Sequence, residues 1–86
     1  MIFRFNNKEY RGITAIEVVR QMERDEADFA VQDGASVRKF VEWSLKKLSD
    51  RLPPRELDTS PRVSDEVQAH GYLSLCQEYG IGELIE

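Results

Sequence analysis

The chain has 86 residues, 41 % of them hydrophobic and 33 % charged, and a formal net charge of −4. That length holds one small domain and not two, and Leu, Ile, Val and Phe supply 23 residues, more than the roughly 20 % share below which a charged chain stays disordered. No stretch approaches the ~18 apolar residues of a membrane span, the lone Cys76 excludes an intrachain disulfide framework, and MIFRFNNKEY lacks the long apolar core of a secretory signal; the expectation is a folded cytoplasmic protein.

Ile2 to Phe5 reads as a short strand and Lys8 to Arg11 as its partner, turned at Asn6-Asn7. Asn tolerates the left-handed backbone that a two-residue type I′ turn demands. Such a turn sets Phe5 opposite Lys8, Arg4 opposite Glu9 and Phe3 opposite Tyr10. Phe3, Phe5 and Tyr10 then share a face suited to a core, while Arg4 and Glu9 pair on the other. A lone hairpin is marginal in water, so helices must cover it.

Thr14 and Glu17 form a capping box that opens the first helix, with Ile13 and Val18 in the positions of a hydrophobic staple. Ala15, Ile16, Val18, Val19 and Met22 make one apolar stripe, and packing should fade near Glu26. Asp25-Glu26-Ala27-Asp28 reads as a solvated helix end, because no calcium-loop spacing accompanies it.

Ser36 is placed to cap a second helix running to about Arg51, where Leu52-Pro53-Pro54 stops it. Val37, Phe40, Val41, Leu45, Leu48 and Leu52 share its buried face, with Ser44 among them. Trp43 lies off that stripe, among Lys39, Lys46, Lys47 and Asp50. One reading makes it an exposed aromatic anchor in a basic rim, since Trp is enriched at binding hot spots. The other makes it outer core, covered by the C-terminal tail or by another copy of the chain.

Pro53, Pro54 and Pro61 make Leu52 to Val63 an extended connector that lets Leu57 dock. Ser64 caps a third helix, with Asp65 and Glu66 at its positive end. Ala69, Tyr72, Leu73, Cys76 and Tyr79 line its apolar side, bordered by Leu75. Gly71 interrupts the pattern and suits a close approach of another backbone. Gly80 suits a left-handed cap with Ile81 folding back on the helix. The tail, Glu83-Leu84-Ile85-Glu86, is open between strand, turn and frayed end; Leu84 and Ile85 are candidates to cover Trp43 or meet a partner.

The motifs of chemistry are missing. Cys76 follows His70 by six residues, about 240° around a helix, so the two make neither a nucleophile–base pair nor a metal pair. His70 reads as a surface residue paired with Glu66 one turn earlier, and Cys76 as a buried small side chain. The glycines form no phosphate loop, and the chain is too short for much of a catalytic pocket. Neither catalytic residues, nor a cofactor, nor a metal site is expected, and the chain is not read as an enzyme.

Charge supplies the remaining lead. The blocks 1–12, 13–34, 35–55 and 56–86 carry +2, −4, +4 and −6, so opposite blocks can attract within or between molecules. The expected fold is α+β: an N-terminal β-hairpin packed on three amphipathic α-helices, with a three-helix bundle as the alternative. The expected function is a small interaction or regulatory module, self-associating or bound to another protein. Its candidate contacts are Trp43, Lys39, Lys46, Lys47, Leu84 and Ile85. The alternative is nucleic-acid binding through the basic second helix, which the acidic flanks oppose because they repel phosphates.

Overall fold

Two asparagines with positive φ, 52° at Asn6 and 64° at Asn7, close the N-terminal turn, as a type I′ hairpin needs. In the computed structural model, which describes residues 1–25, 37–53, 57, 60 and 62–86, strand β1 (Ile2–Phe5) pairs antiparallel with β2 (Lys8–Arg11). The register is the expected one, Phe3 facing Tyr10, Arg4 facing Glu9 and Phe5 facing Lys8. Phe3 and Tyr10 are buried and Phe5 packs against the core.

Helix α1 (Ala15–Asp25) follows at once. The Glu17 N–H donates to the Thr14 hydroxyl at 3.3 Å, and the Glu17 carboxylate accepts from the Ile13 N–H. That is the reciprocal logic of a capping box, its return bond displaced by one residue from the usual position. The staple does not form: Val18 is fully buried but Ile13 is 88 % exposed. The Glu17 carboxylate, by holding the Ile13 backbone, fixes the chain's entry into α1 without that apolar contact. Ala15, Val18, Val19 and Met22 are buried as the stripe requires, and Glu23 is buried beside them. Glu26 to Ala35, including most of the acidic run, and Ser36 lie outside the described residues.

Helix α2 (Val37–Leu48) buries Val37, Phe40, Val41 and Ser44. It ends three residues before the expected Arg51, although the Leu52 N–H still donates to the Leu48 carbonyl at 2.8 Å, carrying one further turn. Helix α3 (Asp65–Glu78) is capped by Ser64, whose side chain accepts from the Val67 N–H at 3.3 Å. At its other end the Gly80 N–H bonds the Gln77 carbonyl and the Ile81 N–H bonds the Cys76 carbonyl, each at 3.0 Å. With φ +76° at Gly80, this is the Schellman arrangement, and Ile81 folds back onto the core. Leu57 docks against α3: a Cβ on Gly71 would lie 2.7 Å from the Leu57 Cδ1. The close approach at Gly71 is thus made by a side chain of the connector, not by another backbone.

The tail is a strand. β3 (Gly82–Leu84) pairs antiparallel with β1, giving a three-stranded sheet in the order β2-β1-β3. Among the described residues three helices accompany that antiparallel sheet, and the fold is α+β, as expected from the sequence. The core runs from Phe3 and Tyr10 through Val18, Val19 and Phe40 to Tyr72 and Cys76. On the sheet's other face Arg4 lies 3.6 Å from both Glu9 and Glu83, an ion-paired row in water. Among the described residues no helix is long and apolar enough to cross a membrane.

Candidate functional site

The off-stripe position of Trp43 gives it one neighbour in each direction along α2. Its ring centroid lies 5.9 Å from that of Phe40, and the Lys47 Nζ sits 4.6 Å from the indole centroid, a cation–π pair at i,i+4. Phe40 in turn meets Tyr72 of α3 edge to face at 5.7 Å. Beneath them the hydroxyls of Ser44 and Tyr72 share a buried 2.6 Å hydrogen bond, which makes a polar serine tolerable on the inner face. Trp43 is half-buried, so the two readings of it combine: part of its ring packs on the core and part meets solvent.

Beside Trp43 opens a cavity of about 500 Å³, within the range of small-ligand and side-chain sites. Aromatic rings from β1, β2, α2 and α3 wall it, and Lys8, Lys47 and Arg51 stand around it. Asp25, from the last turn of α1, lines it too. Tyr10 donates to the Asp25 carboxylate at 2.9 Å, and the Lys8 ammonium pairs with the same oxygen. The hydrogen bonds from Lys8 and then Tyr10 hold the Asp25 carboxyl below its ordinary range. This carboxylate is therefore bound to Lys8 and Tyr10, and Arg51 has no carboxylate within ion-pairing distance among the described residues.

The structure divides the six residues that sequence reasoning selected. Trp43 and Lys47 line the cavity together. Lys39 and Lys46 are exposed on α2 but do not line it. Leu84 and Ile85 are 47 % and 42 % exposed on or beside β3, where the Ile85 N–H donates to the Ile2 carbonyl at 2.9 Å. The tail is engaged by β1 and does not line the cavity, so the expectation that it covers Trp43 is not met.

Lys8, Tyr10, Asp25 and Arg51 were missed as site residues, and three of them carried a signal. The hairpin register places Lys8 opposite Phe5, on the face that also bears Tyr10, and hence beside the core rather than across the sheet. Asp25 falls three residues after Met22, at the end of the α1 stripe. Arg51 had no comparable mark.

Away from the cavity, His70 Nε2 lies 3.2 Å from Glu66 Oε1 on the exposed side of α3, as the spacing predicts. The same oxygen accepts the Ala15 N–H at 3.1 Å. Glu66 thereby serves the first turn of α1 from across the molecule, where a negative charge favours the helix dipole. Cys76 is buried, and desolvation pushes its thiol up to about 12. Among the described residues no group of three or more His, Cys, Asp or Glu is placed to hold a metal ion. No protein-family model matches the chain, and comparisons with curated proteins and with solved structures find no match either.

Proposed function

We propose that this chain is a small, cytoplasmic, non-enzymatic interaction module that docks a protein partner at the Trp43 cavity. The observation that carries this reading is a half-buried tryptophan set in a concave, aromatic-walled surface rimmed by three cations. Interface hot spots favour a large aromatic fixed by its neighbours, with Arg beside it and a polar rim around a desolvated centre. Phe40 and Lys47 hold the indole in place, so little side-chain freedom is lost on docking. Binding is the reading taken because the cavity's polar groups are already engaged, the Ser44 and Tyr72 hydroxyls with each other and the Tyr10 hydroxyl and Lys8 ammonium with Asp25. The cytoplasmic assignment rests on a single cysteine with no partner for a disulfide.

The test is capture from host extract on immobilised protein, run in parallel with Lys47→Glu, Arg51→Glu and Lys46→Glu. A partner retained by the parent and by Lys46→Glu, but lost from the other two, supports docking at the cavity. A captured set indifferent to the charges at 47 and 51 contradicts it. Self-association is a second reading, carried by Leu84 and Ile85 exposed beside the sheet edge formed by β3. Light scattering over a concentration series decides it; a strict monomer in concentrated solution removes it.

A further inference from the structure

We infer that β3 is a self-docking edge: two copies of the chain pair antiparallel through Gly82–Leu84, with the two-fold axis at Glu83. This rests on the self-association reading above and adds its register. The first argument is the hydrogen-bond ladder. The Gly12 N–H donates to the Met1 carbonyl at 3.1 Å, so these two residues form a bonded pair at the open end of the hairpin. Antiparallel pairs alternate between bonded and non-bonded; Phe3 and Phe5 therefore turn their backbone groups to β2, and Ile2 and Arg4 turn theirs to β3. The bonds from Ile2 N–H to Glu86 and from Ile85 N–H to Ile2, at 2.8 and 2.9 Å, agree. Glu83, opposite Arg4, is thus bonded inward, while Gly82 and Leu84 direct their N–H and C=O groups off the sheet. Among the described residues no hydrogen bond reaches those outward groups.

The second argument is the contrast between the two edges. On β2 the Gln21 side-chain amide donates to the outward Arg11 carbonyl, and Lys8, Glu9 and Arg11 are exposed. Charged side chains of that kind keep an edge from pairing. Beside Glu83, β3 and its continuation carry Leu84 and Ile85, 47 % and 42 % exposed. The N–H groups of Ile85 and Glu86 both donate to the Ile2 carbonyl, at 2.9 and 3.3 Å, two residues against one, as in a β-bulge. The bulge confines the free edge to Gly82–Leu84. One short open edge on each chain closes the assembly at two copies.

The third argument selects a second copy as the occupant, because this edge is its own complement. A two-fold axis at Glu83 sets Gly82 opposite Leu84 of the other copy at both ends, and the outward groups make four hydrogen bonds. Each Leu84 then lies against a glycine, which has no side chain to obstruct it. An axis at Leu84 makes only two bonds, since the Glu86 backbone is engaged by Ile2. The favoured register also contains a brake. It sets Glu83 directly opposite its copy, each 3.6 Å from its own Arg4, and like charges so placed oppose pairing. Three residues a side make a small contact, so the dimer is weak and reversible.

The test is sedimentation equilibrium from about 10 μM to about 2 mM protein, a span that reaches millimolar contacts. The parent is expected to pass from monomer to dimer and stop there, more readily at high salt, which screens the Glu83 pair. Glu83→Gln should tighten the dimer about two- to fivefold and remove that salt effect. Leu84→Lys should weaken it at least tenfold. Glu83→Lys mixed with the parent reads the register, because opposite charges then face each other: the mixed dimer should form in preference to either homodimer. Circular dichroism of each variant keeps loss of fold from passing as loss of pairing.

No dimer from the parent or from Glu83→Gln overturns the inference and removes the self-association reading with it. A dimer indifferent to Leu84→Lys, or without preference for mixed pairing, overturns the register and leaves self-association standing elsewhere on the molecule. A monomeric parent whose partner from host extract is lost with Leu84→Lys gives the edge to a foreign strand, and the second copy falls as its occupant.

Discussion

Replacing Gly82 by Ala is the sharpest test of how the tail is held. A methyl group built there lies 2.6 and 2.7 Å from two ring carbons of Phe3 and 3.1 Å from the Cys76 Cβ. Carbon–carbon contacts are optimal near 3.5–4.0 Å, so the methyl intrudes by about 1 Å from one side and is met on the other. Phe3 is fully buried, and its ring has no solvent to swing into. Overpacking of this kind costs about 1–3 kcal/mol. Peeling β3 from β1 relieves the clash but uncovers Phe3, and re-exposing such a side chain costs a similar about 1.5–3 kcal/mol. Either route leads to about 2 kcal/mol, a fall of about 8–16 °C in Tm for a domain of this size. Gly80→Ala is the control: no atom lies within 4 Å of the added Cβ, so only the backbone at φ +76° resists, at about 1 kcal/mol. Thermal and urea unfolding followed by circular dichroism measure both. A Gly82→Ala protein as stable as the parent, or more stable than Gly80→Ala, refutes the packing of β3 over Phe3.

Other consequences concern protons. Burial raises the Glu23 carboxyl above its ordinary 4.5, with Arg20 and Arg24 opposing the rise. The folded state therefore holds its proton more tightly than the unfolded chain does, and stability falls as pH rises from about 4.5 through the raised value; Glu23→Gln should be more stable than the parent at pH 7, with the gain gone at pH 4, in urea titrations at the two pH values. Asp25 has the opposite sign: its lowered pKa contributes stability above 3.8 that is lost as pH falls through the folded value, so Lys8→Met should flatten the acid limb of the stability–pH curve. Cys76, buried with its thiol near 12, should resist Ellman's reagent at pH 8 until denaturant is added; stoichiometric labelling of the native protein within minutes would place it at the surface.

Where local rules acted alone, the sequence was sufficient to anticipate the structure. The hairpin register follows from two asparagines and an alternating pattern, and the ends of α3 follow from Ser64 and Gly80. The tail was left open because a three-residue strand has almost no signal of its own; β3 exists because β1 offers an edge beside α3 and because Gly82 admits the Phe3 ring. Gln68 and Glu23 are polar by composition yet buried. For Gln68 the cause is the position of α3, which packs against α1, α2 and β3 at once, so a single apolar stripe understates what it buries. The candidate site was half visible. Trp43 and Lys47 stand out on α2 by helical geometry, whereas Lys8, Tyr10 and Asp25 join them only through the packing of β2 and α1, which no single element encodes.

The proposed docking at the Trp43 cavity has a direct test. Amide and indole chemical shifts of nitrogen-15-labelled protein, followed while the partner captured from host extract is added, provide it. The largest changes are expected at the Trp43 indole N–H and at Tyr10, Ser44, Lys47 and Arg51, with Leu84 and Ile85 unmoved. Changes centred on Leu84 and Ile85, or spread along Lys39 and Lys46 with Trp43 silent, would contradict it.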